Sequence, residues 1–257
     1  MPKLTIPDLE GRIVLVTGGS TGIGAALVEA YAAQGCKVAL HYNSSREAAE
    51  EVAARVRNAG GDVFLVKGDF SKSADVRGAV EETASHFGGL DGLVNNAGGM
   101  VARVRYEDMT DKHYDKVMNL NARSVVVASQ AAIPYLKKDG GFIINTSSVA
   151  ARNGAGPGAG IYGSSKSFVS NVTRGMAKEL VPYGIRVNAV APGIVLTPFH
   201  ERYSTDQQMK AMLVTIPMGR GATADECAGT YLFLSSPMLS GYITGQVIEV
   251  NGGQLMP

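Results

Sequence analysis

The sequence predicts a single α/β domain built on a parallel sheet, and three observations predict it. Short apolar runs alternate with helical periodicity along the whole chain. The runs are apolar at nearly every position rather than at every second one, as strands buried on both faces require. A glycine-rich turn, Thr17-Gly18-Gly19-Ser20-Thr21-Gly22-Ile23-Gly24, stands where the first run passes into the first helix.

The elements follow in order. Ile13-Val14-Leu15-Val16 is a strand that ends at glycines. Gly22 to Gln34 is a helix, with Ile23, Ala26, Leu27, Ala30 and Tyr31 at helical spacing. Val38 to Tyr42 is the second strand, and Arg46 to Asn58 a helix closed by Gly60-Gly61. Val63 to Lys67, a helix over 73–86, Gly92 to Asn95 and a long helix near 111–136 come next. Strand Phe142 to Thr146, helix 161–181, strand Arg186 to Val190, a short helix around 223–235 and strand Val247 to Val250 complete the series. Right-handed crossovers turn such a series into a doubly wound, Rossmann-type sandwich of about seven strands, with ligands outside the carboxyl ends of the strands. The expected organisation is one domain over 1–257. Its cofactor-binding half covers about 11–146, and its catalytic and substrate-lid half about 147–257.

Composition narrows the function. With 45% hydrophobic residues and a net charge of +1, the chain gives no reason to expect nucleic acid, an anionic membrane or a strongly charged partner. No stretch reaches eighteen uninterrupted apolar residues, so no membrane span is expected. Met1 to Glu10 lacks the apolar core of a signal peptide, and a cytoplasmic location is expected. Cys36 and Cys227 have no metal-like spacing; they read as thiols in a reducing compartment, and no metal is expected.

Two groups of residues carry chemistry. The glycine turn follows a strand and opens a helix, the context in which such a turn cradles a pyrophosphate. Gly18 permits the tight turn, Gly22 lets backbone approach the phosphates, Gly24 lets helix pack on strand, and the helix end offers free N–H groups. Tyr162 and Lys166 stand at i and i+4, on one side of a helix. An ammonium beside a phenol favours the phenolate and draws its pKa toward neutrality.

On these motifs the chain resembles the short-chain dehydrogenase/reductase family. The Thr17–Gly24 turn has that family's glycine spacing. Asn95-Asn96-Ala97-Gly98, Tyr162-Gly163-Ser164-Ser165-Lys166 and Pro192-Gly193 with Thr197 match its other motifs in order. The resemblance implies a hydride-transferring oxidoreductase that interconverts a secondary alcohol and a ketone. Tyr162 is then the general acid or base, Lys166 its electrostatic partner and a ribose ligand, and Ser148 the donor to the substrate oxygen. Asn121, six residues after Asp115, would hold a water that links Lys166 to solvent; Asn119 then belongs to packing or surface. Ser148 is preferred to Ser147 because it precedes Val149-Ala150-Ala151.

For the cofactor, the resemblance implies contacts from Gly18, Ser20, Thr21, Gly22, Ile23 and Gly24. It adds Asp69 and Phe70 near the adenine, Asn95, Ala97 and Gly98 near the ribose, and Pro192, Gly193, Ile194 and Thr197 near the nicotinamide. The second strand ends His41-Tyr42-Asn43-Ser44-Ser45-Arg46, without a carboxylate to hold a ribose 2′-hydroxyl and repel a phosphate. Asn43, Ser44 and Arg46 could donate to a 2′-phosphate, so NADP(H) is favoured over NAD(H). The glycine turn itself contains no basic residue.

The segment from Thr197 to Arg220 is expected to be a mobile substrate lid. Arg103 and Arg105 read as solvated loop residues, with an anionic substrate as the other reading. Reduction of 3-oxoacyl groups on acyl carrier protein competes with action on a small free ketone, sugar or polyol. Lys137-Lys138 keeps part of the charge such carrier docking uses, while Tyr183 stands where a base is expected. A catalytically silent NADP-binding regulator is the reading from another class, and the complete Asn121, Ser148, Tyr162 and Lys166 set opposes it. The family implies a homotetramer, or a homodimer, through its two long helices and the Gly245 to Pro257 tail.

Overall fold

The computed structural model describes residues 5–257. Its core is one seven-stranded sheet in the order β3-β2-β1-β4-β5-β6-β7. The strands are β1 (Ile13–Val16), β2 (Lys37–Tyr42), β3 (Asp62–Lys67), β4 (Gly92–Asn95), β5 (Gly141–Thr146), β6 (Ile185–Pro192) and β7 (Val247–Val250). All pair in parallel, with Val16 beside Leu40 and Val94, and Asn95 beside Asn145. The order reverses between β1 and β4, and this switch point opens a crevice at the carboxyl ends of the strands.

Side chains alternate across the sheet, so one strand feeds two cores. Val14 and Val16 meet Leu27 and Tyr31 of α1 (Gly22–Ala33), Val56 of α2 (Arg46–Asn58) and, further along, Tyr231 and Leu234 of a late helix. Leu15 faces the other way, toward Val76 and Val80 of α3 (Ser73–Phe87). Each such buried aliphatic stabilises the fold by about 1.5–3 kcal/mol.

The expected long helix is α4 (Asp111–Met118) and α5 (Ser124–Leu136), joined by a π turn at Asn119–Arg123. The short α6 (Ala150–Asn153) precedes α7 (Gly160–Leu180), which carries Tyr162 and Lys166. The lid holds two helices the sequence reading did not define, α8 (Pro198–Tyr203) and α9 (Asp206–Leu213). Thr205 and Gln208 cap α9 reciprocally. α10 (Ala224–Ser235) starts with the same device, Thr223 and Glu226, and α11 (Pro237–Ser240) leads to β7. No helix among the described residues is long and apolar enough to cross a membrane.

Candidate active site

A cleft of about 640 Å³ runs along the carboxyl ends of the strands, from the glycine turn to the lid. Gly18 and Gly22 hold φ of +66° and +55°, conformations that favour glycine. A Cβ on Gly24 would collide with the Gly18 carbonyl, so turn and helix pack as closely as their backbones permit. The first bond of α1 runs from the Ala25 N–H to the Thr21 carbonyl at 3.2 Å, and Thr21 contributes no side-chain cap. The N–H groups before Ala25 therefore remain available at the positive end of the helix. These features fit a pyrophosphate.

Partners from three strands fix the turn. Thr17 Oγ1 accepts from the Asn96 and Ala97 amides, each at 2.9 Å, and Asn96 Nδ2 donates to the carbonyls of Thr17 and Gly18. His41, at the end of β2, accepts the Gly18 N–H on Nδ1 at 3.0 Å and reaches the Gly68 carbonyl through Nε2, also at 3.0 Å. That pattern sets the tautomer with the proton on Nε2. Its ring stacks on Phe70 at 3.7 Å, and burial pushes its pKa down to about 4. Sequence reasoning missed His41; a histidine inside the otherwise apolar and aromatic run Val38–Tyr42 was the available signal.

Most of the predicted cofactor residues line this cleft. Ser20, Thr21, Ile23, Asn43, Ser44, Phe70, Ala97, Gly98, Pro192, Gly193, Ile194 and Thr197 do, together with the three turn glycines. Three do not. Asn95 lies inside the sheet and donates to Asn145 Oδ1 at 2.9 Å and Ser129 Oγ at 3.2 Å, so its neighbour Asn96 faces the cleft. Asp69 accepts from the Ser71 amide and hydroxyl, shaping the turn before α3, and Phe70 takes the place at the cleft wall. Arg46 is 74% exposed and pairs with Glu50 at 2.7 Å, one helical turn along α2.

At the other end Ser148 and Tyr162 both line the cleft, and the Ser148 hydroxyl acts on the phenol. The adjacent Ser147 is buried against the Lys166 carbonyl and the Ser170 hydroxyl, which separates the two serines by environment. Lys166 Nζ donates to the Thr146 carbonyl at 2.7 Å and lies 5.9 Å from the Tyr162 ring centroid.

The expected depression of the phenol's pKa is absent from the protein alone. Burial pushes Tyr162 up to about 12, against the lowering effect of the Ser148 hydroxyl. Burial also draws Lys166 down to about 8. Each charged form is disfavoured in a poorly solvated place, and burial is the first cause of both shifts.

Asn121 is fully buried in the π turn and does not line the cleft. Its Nδ2 donates to the Gly99 and Val117 carbonyls, each at 2.8 Å, and its Oδ1 accepts from the Gly99 amide at 3.0 Å. A Cβ on Gly98 would stand 2.7 Å from Asn121 Oδ1 and 3.2 Å from Lys166 Nζ, so Gly98 fits between these two groups. The Asn121 side chain is thus chiefly a clamp on the 98–99 loop.

The segment expected to be the lid borders the Ser148–Tyr162 end of the cleft. Phe199 sits 5.7 Å from the Tyr162 ring and 5.0 Å from that of Tyr203. Arg103 is not the solvated residue the sequence suggests. It lines the cleft, and its Nε donates to the Tyr203 carbonyl at 2.7 Å and its Nη1 to the Pro157 carbonyl at 3.1 Å. Arg105 is exposed and paired with Glu107 at 3.0 Å.

A phosphate-cradling turn and a Ser-Tyr-Lys cluster at opposite ends of one cleft, over a doubly wound sheet, define a dinucleotide-dependent oxidoreductase. A family model described as Enoyl-(Acyl carrier protein) reductase matches residues 18–254. The chain belongs to the short-chain dehydrogenase/reductase family.

It is 38% identical over 246 residues to the 3-oxoacyl-[acyl-carrier-protein] reductase FabG of Staphylococcus aureus, covering 95% of this chain and 98% of that protein. Among solved structures it is similar to an NADH-dependent reductase, A1-R′, responsible for alginate metabolism. The TM-score is 0.90 and the identity 38%, covering 98% of this chain and 100% of that one. The same reductase is also known in complex with NAD. A short-chain dehydrogenase from Burkholderia cenocepacia in complex with NADP is 36% identical, with a TM-score of 0.89 over 96% of this chain and 99% of that one.

Proposed function

We propose that the protein interconverts a secondary alcohol and a ketone on a small molecule, with Tyr162 as the general acid or base. The observation that carries this reading is the grouping of Ser148, Tyr162 and Lys166 at one end of the cleft that begins at the glycine turn. The nicotinamide cofactor, when bound, supplies or accepts the hydride. In reduction the Tyr162 hydroxyl gives its proton to the carbonyl oxygen, and Ser148 Oγ donates to that oxygen as charge develops. In oxidation the proton returns to Tyr162. Lys166 Nζ, held by the Thr146 carbonyl, orients on the ribose side and steadies the phenolate. Asn121 positions the Gly98–Gly99 loop against Lys166 and supports a water on the path from Lys166 to solvent.

NADP(H) is proposed ahead of NAD(H). Among the described residues no carboxylate lines the cleft, so none of them repels a 2′-phosphate there. Asn43 and Ser44 face the site, and Arg46 stands in the first turn of α2 just beside it. The exposed Arg46–Glu50 pair is screened by solvent, so a phosphate can draw the guanidinium away from it. The NAD complex of one relative and the NADP complex of another show that the family binds both cofactors. A cytoplasmic homotetramer is the proposed assembly, supported by exposed Tyr114 on α4 and Phe168 on α7.

The carrier-protein reading has one observation of its own. Lys137 Nζ sits 3.6 Å over the Tyr183 ring, which brings the two expected docking stretches together at one place on the surface. The test is side-by-side binding of NADPH and NADH, followed by turnover of ketones, sugars, polyols and 3-oxoacyl thioesters with the tighter cofactor. Turnover that Tyr162→Phe abolishes supports the oxidoreductase reading. Thioesters turned over well ahead of free ketones would favour a carrier-bound substrate. Cofactor binding without turnover of any class would favour the silent regulator.

A further inference from the structure

The walls of the cleft are asymmetric in charge. Among the described residues no aspartate or glutamate lines it, while Arg103, Lys166 and Arg202 do. Lys166 is committed to the Thr146 carbonyl deep in the site. Arg103 and Arg202 lie elsewhere, at the lid, together with His200. The adenosine end is lined by neutral donors such as Ser20, Asn43 and Ser44, so these lid cations are not placed to serve the cofactor's far phosphate.

Arg103 uses two of its five N–H donors, on the Tyr203 and Pro157 carbonyls. Carbonyls neutralise no charge, and Arg103 forms no ion pair with any described carboxylate. Arg202 is exposed and likewise has no acidic partner. The lid's own acids, Glu201 and Asp206, are exposed and stand outside the cleft lining. His200 accepts or donates to Ser204 Oγ at 3.2 Å, and its pKa is lowered first by burial and then by the nearby Arg103 charge. The loop that presents Arg103 is itself under constraint, since Val101 holds φ of +67°. Phe199 packs between the Tyr162 and Tyr203 rings, and Arg103 is held at the Tyr203 carbonyl, so the lid that carries Arg202 and anchors Arg103 borders the phenol.

We propose that the substrate carries a carboxylate, bound at the lid by Arg103 and Arg202 while its carbonyl meets Ser148 and Tyr162. This rests on the oxidoreductase reading above and names its substrate class: oxo acids and the corresponding hydroxy acids. The guanidinium of Arg103, already oriented by two carbonyls, meets the carboxylate with little further ordering. Arg202 adds a second charge from the adjacent turn of the lid.

The test compares matched probes, levulinate with methyl levulinate and acetoacetate with methyl acetoacetate, with saturating NADPH or NADH. The acids are expected to exceed their esters in kcat/KM by roughly 10- to 100-fold, the range of one charge-assisted contact. High salt should shrink that ratio, because the lid is partly open to solvent. Arg202→Gln, at an exposed position outside the core, should lower kcat/KM for levulinate about tenfold more than for methyl levulinate, mostly through KM. Arg103→Gln should collapse the ratio further. Equal rates for acid and ester, faster esters, turnover of neither pair, or a ratio that survives both substitutions would overturn the carboxylate. Esters or neutral ketones turned over in a Tyr162-dependent way would leave the oxidoreductase reading standing while this inference fails.

Discussion

His41 Nδ1 stands 3.0 Å from the Gly18 amide nitrogen, so a histidine at the end of one strand holds the phosphate-cradling turn at the end of the next. Only a neutral imidazole can accept that N–H. The folded protein keeps His41 neutral down to about pH 4, whereas an unfolded chain takes up the proton near 6.5. The stability this confers is therefore full above pH 6.5 and is lost as pH falls toward 4. The loss is up to about 3 kcal/mol if the whole shift is realised. Melting temperature measured from pH 7 to pH 4 should fall, and the fall should be shallower in His41→Asn, whose Oδ1 can accept the Gly18 N–H in place of Nδ1 without titrating. An equally steep fall in the variant would place the acid sensitivity elsewhere.

Tyr162→Phe should lower turnover by at least about 10²-fold, the usual scale for a lost general acid. The ring still packs on Phe199, and the glycine turn lies at the far end of the cleft, so cofactor affinity should change little. Parallel steady-state rates and NADPH titrations by fluorescence check this. Retained turnover would remove Tyr162 from the proton transfer.

Arg46→Ala should weaken NADPH by roughly tenfold or more and NADH hardly at all, as expected for one charge-assisted phosphate contact. Calorimetric titration of both cofactors against both proteins measures it. Equal effects would mean that Arg46 remains with Glu50 when the cofactor binds.

Val101→Gly should leave the melting temperature unchanged or raise it. A β-branched residue at φ +67° carries strain of about 1–3 kcal/mol, which glycine removes. The relieved loop should also let Arg103 wander, so KM should rise while stability does not fall. A drop in melting temperature would show that Val101 packing outweighs its backbone strain.

The sheet and its crossovers were legible because most strand positions are apolar on both faces and the crossover helices have their own periodicity. The two serines have different environments: Ser147 is closed in by Ser170, and Ser148 lines the cleft beside Tyr162. Asn95 and Asn96 were not separable in the same way. Adjacent strand residues face opposite sides, and a sheet covered on both sides offers no polarity pattern to say which asparagine meets the cleft. Arg46 was legible as a base near a phosphate site but not as a partner of Glu50, because an i,i+4 pair and a ligand contact require the same residue types. The depressed phenol pKa was inferred from a pair of neighbours, while the burial that reverses it depends on the whole fold. The lid helices were obscured by a mixed composition in which apolar positions serve both packing and the cleft.

The π turn at Asn119–Arg123 gives the stretch from Asp111 to Leu136 a fixed phase. Each helical residue advances the chain by about 100°, and the wider turn absorbs one residue that a regular helix would have to place elsewhere. Removing any one residue from this stretch would yield a more regular helix. It would also rotate α4 relative to α5, turning Asp111–Met118 off its seat on α7 and pulling Asn121 away from Gly99. For protein engineering, this segment can accept exchanges of residues far more readily than a change in their number.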